Sequence, residues 1–225
     1  GVSAIPGGKR FYEQQLRYFT TLDMSPEAVF EKGQQEVRRI RAEMDSIIRA
    51  VDFDGTFDEF LAFLRTDAQF YAKTPKELLQ HASFLAKKVD GKLPAYFNTL
   101  PRLSYGVAPV PDAIAPTYTG GRYVPGSVEG HRAGTYWVNT YNLPSRPLYV
   151  LPSLTLHEAV PGHHLQMALA QELENQHPFR QRTYLSAFGE GWALYCEFLG
   201  NEMGMYETPY EQFGRLTYEM WRACR

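Results

Sequence analysis

Prolines limit where long helices can form in this sequence of 225 residues. They recur between residues 92 and 147, and a proline inside a helix removes a backbone hydrogen bond and collides with the preceding turn. Helical patterns occupy the flanking stretches, residues 1–91 and 148–225. We therefore predict a mainly α fold with a small β-sheet (α+β). It is expected to be a single domain in which a proline-rich β segment joins two helical parts.

Hydroxyl residues followed by proline mark helix starts in the first part. Ser25 precedes Pro26 and Thr74 precedes Pro75, a combination typical of a helix N-terminus. After Pro26 the apolar residues recur at helical spacing. They are Val37, Ile40, Met44, Ile47 and Ile48. The pattern predicts an amphipathic helix that packs one face, with shorter helices after it.

Two short runs in the proline-rich segment have the composition of β-strands. One covers residues 117–124 around a pair of glycines, and the other spans Gly134 to Tyr141. Peptides often bind by adding a strand to an exposed sheet edge. One interpretation makes the second run such an edge, with Tyr136 and Asn139 in contact with the substrate. The alternative is an ordinary buried strand.

Three of the six histidines lie in the motif His157-Glu158-Ala159-Val160-Pro161-Gly162-His163-His164. Imidazoles hold zinc, and a neighbouring carboxylate can take a proton from the attacking water. Zinc peptidases place two such histidines four residues apart on one helix, about 6 Å apart along its axis. Here that position holds Pro161, which cannot bind zinc.

The Pro161-Gly162 pair offers a solution to this spacing. In a straight helix His163 would lie about 9 Å along the axis from His157, and His164 about 10.5 Å. Proline opens the preceding turn and glycine tolerates a distorted backbone, so we predict a bulge that absorbs two residues. It would bring His163 to the ligand position, with His164 as a second candidate. The alternative is a kinked helix that carries surface histidines.

The predicted helix that ends near Leu199 supplies candidates for a third ligand. Its charged residues are Glu190 and Glu197, which share a helix face. The helix also carries an apolar stripe at heptad spacing, formed by Leu185, Phe188, Trp192, Tyr195 and Leu199. A carboxylate in so apolar a helix is costly to bury unless a metal, or a histidine bound to one, is its partner. Solvent exposure is the simpler alternative for both glutamates.

The two motifs together resemble a known family. The first contains His157-Glu158 and Pro161-Gly162-His163-His164, and the second is Phe188-Gly189-Glu190-Gly191-Trp192-Ala193-Leu194-Tyr195. In this combination they are similar to the bacterial domain of unknown function 885, which is grouped with the gluzincin-like metallopeptidases. The resemblance extends over most of the chain. It implies a gluzincin-like helical domain that hydrolyses peptide bonds with zinc.

The resemblance also implies a role for each residue of the motifs. His157, His163 and Glu190 would be the zinc ligands, and Glu158 the general base. Glu197 would contact a zinc ligand and not zinc itself. For His164 two roles stay open, that of an alternative zinc ligand and that of a residue in contact with a ligand.

The chain has no initial methionine and stops inside a predicted helix, so we expect a fragment of a longer protein, truncated at its C-terminus. In gluzincins, a tyrosine or histidine downstream of the third ligand usually stabilises the oxyanion. The resemblance therefore implies that this residue lies beyond Arg225. Within the chain, Tyr218 and Arg222 share a helix face and are candidates for substrate contact. Three further arginines could bind a terminal carboxylate: Arg122, Arg132 and Arg146.

The charge balance gives no reason to expect a nucleic acid as partner. The net charge is −2, whereas nucleic acids select strongly basic surfaces. No apolar run approaches the roughly 20 residues that span a bilayer, and two cysteines do not make a disulfide framework. A peptide substrate is the expected partner. The sequence does not decide the compartment. The protein can be cytoplasmic, or it can be periplasmic or secreted, in which case a lipoprotein is one form it can take.

Other functions compete with a zinc peptidase. Asp52-Phe53-Asp54-Gly55-Thr56 resembles the nucleophile loop of haloacid-dehalogenase-type phosphatases, but that loop follows a buried parallel strand. Here the preceding pattern is helical, so a turn between helices is the simpler interpretation. A non-catalytic zinc-binding domain or pseudoenzyme is the second alternative, although structural zinc sites usually have four protein ligands and no general base. An amidase acting on other amides also fits.

Overall fold

Helices dominate the structure on both sides of a small sheet. The computed structural model describes the backbone of residues 1–225 and the side chains of residues 1–2, 4–180 and 183–225. The helices are α1 (Gly8–Thr20), α2 (Pro26–Ala50), α3 (Phe57–Thr66), α4 (Pro75–Asp90), α5 (Leu151–Glu158), α6 (His163–Glu172), α7 (Pro178–Arg182), α8 (Ser186–Leu199) and α9 (Pro209–Cys224). The strands are β1 (Tyr105–Pro109), β2 (Gly121–Val124) and β3 (Gly134–Val138). The predicted mainly α fold with a small sheet is confirmed.

The hydroxyl–proline pairs begin helices as predicted. The side chain of Ser25 accepts a hydrogen bond from the backbone of Ala28 at 3.1 Å, and Thr74 accepts one from Glu77 at 3.1 Å. Each bond satisfies a backbone N–H that the first turn of a helix leaves free. The apolar face of α2 is buried against α9, where its residues share one core with residues of α3 and α9. This core contains Ile40, Met44, Ile48, Phe60, Leu64, Phe70, Phe213 and Leu216.

The phosphatase-like loop connects two helices. Asp52 follows the end of α2, and Thr56 caps α3 in a reciprocal arrangement with Glu59. A phosphatase nucleophile would have to stand at the end of a parallel strand. Residues 52–56 form a turn between α2 and α3, which is the interpretation that the sequence pattern favours. The phosphatase alternative therefore has no structural support.

The order of the sheet is β1–β3–β2, with β3 parallel to β1 and antiparallel to β2. The interpretation of Gly134–Tyr141 as an exposed edge is therefore wrong, because β3 is hydrogen-bonded on both sides. Tyr136 and Asn139, the predicted substrate contacts, are fully buried. The amide of Asn139 donates to backbone carbonyls of the loop before β2, including that of Ala115 at 2.9 Å. Both residues therefore support the fold, and the edge strand β2 contacts the histidine motif through Tyr123.

Helix α5 lies in the centre of the second core. Of its eight residues all but Leu154 are buried, including the polar Ser153, Thr155, His157 and Glu158. Residues from α4, the sheet and α8 surround it, and this packing fixes the position of the histidine motif at its C-terminal end. Within the described residues, no helix has both the length and the apolar character needed to cross a membrane.

Candidate metal centre

The histidine motif occupies a break between two helices. Helix α5 ends at Glu158 and α6 begins at His163, so the predicted single helix with an internal bulge is corrected to two helices. Pro161 has no N–H with which to continue the helix. Instead, the backbone N–H of His164 donates at 3.0 Å to the carbonyl of Ala159, five residues earlier. This bond closes a wider turn than that of a regular α-helix. The break has the effect expected of the bulge, since it returns His163 to the side of His157.

Gly162 is needed at this break because its backbone packs against the end of α5. A Cβ atom placed on Gly162 would lie 1.9 Å from the carbonyl oxygen of His157 and 2.4 Å from that of Leu156. Backbone atoms cannot move aside as a flexible side chain can. Any side chain at this position would therefore push α6 away from α5.

Gly162→Ala is expected to lower the free energy of unfolding by about 1–3 kcal/mol, the usual cost of overpacking. Chemical denaturation of the two proteins measures the difference. Gly191→Ala in α8 is the matched control, since its Cβ would meet no atom within 4 Å. That change should leave stability unchanged or raise it by about 0.5–1 kcal/mol. Equal stability of Gly162→Ala and the wild type would contradict this close packing.

Two histidines and one glutamate converge on a single point. His157 Nε2 lies 3.5 Å from Glu190 Oε2, and His163 Nε2 lies 3.8 Å from Glu190 Oε1. One donor atom from each residue lies within 4.8 Å of the other two. The imidazoles of His157 and His163 are buried, whereas the side chain of Glu190 is 56% exposed. The cluster is thus a pocket with one open side, and its donor atoms are close enough to hold one metal ion.

His164 faces away from this cluster. Its Nδ1 atom lies 2.9 Å from the hydroxyl of Tyr123 in β2, and its ring packs against Tyr105 of β1 with centroids 4.5 Å apart. Burial lowers the pKa of His164 to about 4, so the side chain is neutral. Of the two adjacent histidines, the structure places His163 among the candidate ligands and gives His164 a packing role against the sheet.

Glu197 lies behind His157. Its Oε1 atom is 2.7 Å from His157 Nδ1, and the guanidinium of Arg222 donates to the same oxygen at 2.6 Å. Glu197 is 1% exposed. A histidine that binds a metal through one nitrogen usually gives its other N–H to such a carboxylate, which orients the ring. This arrangement leaves His157 Nε2 free to face Glu190 and His163.

Glu197→Gln is expected to weaken zinc binding by about 10–100-fold, the usual effect of removing a partner behind a metal ligand. The glutamine keeps an oxygen for Arg222 but loses the charge that favours the His157 N–H. Competition titration against a zinc chelator measures the affinity. Glu202→Gln is the control, because Glu202 is an exposed carboxylate just past the end of α8. An affinity equal to that of the control would remove Glu197 from the site.

Glu158 connects the motif to the sheet. Its Oε2 atom accepts a hydrogen bond of 2.7 Å from the backbone N–H of Tyr123 in the edge strand β2. Burial raises the pKa of Glu158, while the nearby charge of His157 and this hydrogen bond oppose the rise. A partly desolvated carboxylate of this kind is a better proton acceptor than one in water.

The charges within the cluster favour a bound cation. Burial alone would lower the pKa of His157, but hydrogen bonds with Glu190 and Glu197 outweigh it and raise that pKa to about 9. The bond with His157 lowers the pKa of Glu190 to about 2. Burial and the charge of His157 lower the pKa of His163 to about 4. The carboxylates of Glu190 and Glu197 therefore stabilise a positive charge at His157, whether that of a proton or that of a metal ion.

Several contacts of the site had no recognisable signal in the sequence. The hydroxyl of Tyr184 donates to Glu190 at 3.2 Å, and the indole N–H of Trp192 donates to the carbonyl of Pro161 at 2.8 Å. The apolar stripe of α8 is buried only in part. Leu199 is buried and Trp192 packs against the core, whereas Phe188 is exposed and Tyr195 is half exposed. Gly189, Ala193 and Cys196, outside the stripe, are also buried.

The remaining candidates for substrate contact are placed as follows. Arg222 is engaged by Glu197 and is not free to bind a substrate. Tyr218 of α9 is half-buried, and its phenol is close enough to Glu197 and Glu158 for burial and their charges to raise its pKa. Tyr218 therefore lies beside the site, whereas Arg222 is part of the support for His157.

Comparison with known proteins identifies a family. The pattern of the family described as "Bacterial protein of unknown function (DUF885)" matches residues 2–225. A solved structure described as "the putative lipoprotein from Colwellia psychrerythraea" shares 32% sequence identity with the chain, with a TM-score of 0.93 over 99% of it. The chain spans 39% of the length of that protein. Among curated proteins there is no significant match.

Proposed function

This chain belongs to the DUF885 family of bacterial proteins, and on that premise we propose that it is a zinc-dependent peptidase of the gluzincin type. The observation that carries the proposal is the meeting of His157, His163 and Glu190 at one point. A buried carboxylate, Glu158, directly follows the first of these residues in the sequence. The proposed substrate is a peptide.

The donor set fits zinc. Two imidazoles and one carboxylate are the protein ligands of many catalytic zinc sites, which keep a further position open for water or substrate. The exposed side of Glu190 gives the site such an opening. When bound, zinc would polarise the amide carbonyl and favour deprotonation of the attacking water.

Glu158 would move the protons in this reaction. One of its oxygens is held by the N–H of Tyr123, which fixes the orientation of the carboxylate, and the other oxygen would accept the proton. The carboxylate would accept the proton of the attacking water and pass it to the leaving amine. Two opposite proton transfers need a group whose pKa lies nearer to neutrality than usual, and burial raises the pKa of Glu158 in that direction.

The family resemblance implies an oxyanion-stabilising residue beyond Arg225, but the phenol of Tyr218 lies beside the site, near Glu158 and Glu197, and we propose that it serves this role. Tyr218→Phe removes only the hydroxyl and is expected to lower kcat about 10²–10³-fold, as the loss of one oxyanion donor does, with zinc content unchanged. Steady-state kinetics on a cleaved peptide, together with metal analysis, measure both quantities. Tyr210→Phe is the control, since Tyr210 lies on the same helix within the aromatic core around Phe60 and Phe213. Unchanged kcat in Tyr218→Phe would exclude this role.

The experiment that tests the proposed function combines metal analysis with a peptide digest. Purified protein is freed of metal, reloaded with one equivalent of zinc, and incubated with a defined peptide mixture that is read by mass spectrometry. Cleavage that requires zinc and is absent in Glu158→Gln supports a peptidase. Zinc binding without cleavage of any peptide would favour the non-catalytic zinc-binding alternative. Failure to bind zinc would contradict both.

A further inference from the structure

Arg122 lies on the edge strand next to the residue that holds Glu158. Strand β2 is hydrogen-bonded to β3 on one side. On its other side the backbone N–H of Tyr123 donates to Glu158 at 2.7 Å. Because Arg122 directly precedes Tyr123, its backbone is fixed relative to the candidate general base. A side chain at this position can act on a substrate at the site without a loop having to move.

The side chain of Arg122 points away from the core. Successive side chains of a strand project to opposite faces. Tyr123 is buried, with its hydroxyl on His164, so Arg122 projects to the open face. There it is exposed, opposite Trp137 in the strand register.

Arg122 carries a positive charge that acts on the site without an ion-pair partner. Contact with the phenol of Tyr118 and the charges of Glu158 and Glu190 raise the pKa of Arg122. Among the described side chains, however, none forms a salt bridge with it. Apart from the contact with Tyr118, the donors of the guanidinium therefore remain available to a ligand.

The other arginines near the site are less suited to this role. Arg222 is bound to Glu197 at 2.6 Å, and Arg132 donates to the carbonyl of Pro125 at 2.9 Å. Arg146 is half-buried, and burial lowers its pKa. Of the three arginines that the sequence offered for a terminal carboxylate, the structure leaves Arg122 exposed and beside the site.

We propose that Arg122 binds a carboxylate of the substrate close to the amide that is cleaved. The proposal rests on the proposed peptidase function and narrows its substrate class. Guanidinium groups bind carboxylates through paired, charge-assisted hydrogen bonds. The carboxylate can come from the C-terminus of a peptide, which would make the protein a carboxypeptidase, or from an acidic side chain.

The test measures binding separately from cleavage. Zinc-loaded Glu158→Gln protein is titrated with three probes: N-acetyl-Phe-Phe, its C-terminal amide, and N-acetyl-Phe-Glu amide. Phenylalanine is used because the groove next to Tyr184 is lined by apolar side chains, including Met167, Phe179 and Phe188. The same titrations are repeated on double variants that carry Arg122→Gln, Arg122→Lys or Arg38→Gln in addition to Glu158→Gln. Arg38 is the matched control, an exposed arginine on α2, which packs against α9.

A carboxylate probe should bind at least about 10-fold more tightly than the neutral amide, as charge-assisted hydrogen bonds allow. Arg122→Gln should abolish that preference, Arg122→Lys should keep part of it, and Arg38→Gln should keep all of it. A preference for N-acetyl-Phe-Phe identifies a terminal carboxylate, and a preference for N-acetyl-Phe-Glu amide identifies an acidic side chain. Equal binding of all three probes, or a preference that survives Arg122→Gln, would overturn the proposal.

Cleavage by the protein with Glu158 intact separates this proposal from the proposed function. A preference in binding that depends on Arg122, together with no hydrolysis of any peptide, would leave the carboxylate site standing and reject the peptidase. If the wild type and Arg122→Gln both hydrolyse acid and amide peptides with equal kcat/KM, the peptidase function stands and the carboxylate site at Arg122 is rejected.

Discussion

Asparagine in place of His163 is expected to abolish stoichiometric zinc binding, whereas asparagine in place of His164 should leave it intact. The two histidines are adjacent in sequence and both are buried. They differ in what their rings face, since His163 Nε2 lies 3.8 Å from Glu190 and His164 Nδ1 lies 2.9 Å from the hydroxyl of Tyr123. Asparagine can replace Nδ1 as a hydrogen-bonding atom, but it is too short to replace Nε2.

The expected loss of zinc affinity in His163→Asn is at least about 100-fold, because removing a ligand should cost more than removing a partner behind one. Elemental analysis after dialysis measures zinc per chain, and circular dichroism checks that both variants are folded. Zinc that is retained in His163→Asn and lost in His164→Asn would reverse the assignment of the two residues. Zinc that is retained in both would exclude both adjacent histidines as ligands and would contradict the proposed cluster of His157, His163 and Glu190.

Glu158→Gln is expected to lower kcat by about 10²–10⁴-fold, the contribution of a general acid–base group, without loss of zinc. Glutamine has the shape of glutamate, and its amide oxygen can still accept the hydrogen bond from Tyr123. It cannot accept a proton from water at neutral pH. The variant therefore separates catalysis from folding and from metal binding.

Steady-state kinetics on a zinc-loaded sample and metal analysis of the same sample measure the two effects. Glu172→Gln is the matched control, since Glu172 is a carboxylate of the neighbouring helix α6 that pairs with Arg102 at 3.1 Å. Activity in Glu158→Gln equal to that of Glu172→Gln would remove Glu158 from the mechanism. Zinc loss in Glu158→Gln would instead move its role from proton transfer to metal binding.

The sequence was sufficient to predict the parts of the fold that depend on local patterns. Ser25-Pro26 and Thr74-Pro75 begin helices because a capping hydroxyl and the fixed φ of proline act within one turn. The apolar spacing of Ile40, Met44 and Ile48 predicted which face of α2 is buried. Prolines excluded long helices from the middle of the chain for a reason that is also local.

Local patterns were misleading where burial depends on distant partners. The heptad stripe of α8 contains Leu199, which is buried, and also Phe188, which is exposed, whereas Gly189 and Cys196 are buried without belonging to the stripe. The strand from Gly134 was a candidate sheet edge because nothing in its residues shows how many strands flank it. The order of the strands depends on which strands pair with β3. Its partners β1 and β2 lie at different distances from it along the chain, so local residue patterns do not show the pairing.

The site shows the same division. From residue types and spacing alone, the sequence determined that His157, Glu158, two adjacent histidines and the two glutamates of α8 are the candidates for metal chemistry, and the family resemblance singled out Glu190 of those two. Only the tertiary structure decided that His163 turns towards Glu190 and His164 towards Tyr123. The reason is physical. The positions of both rings follow from how the break at Pro161-Gly162 packs α6 against α8 and the sheet, and such long-range packing leaves no periodic signal in a sequence.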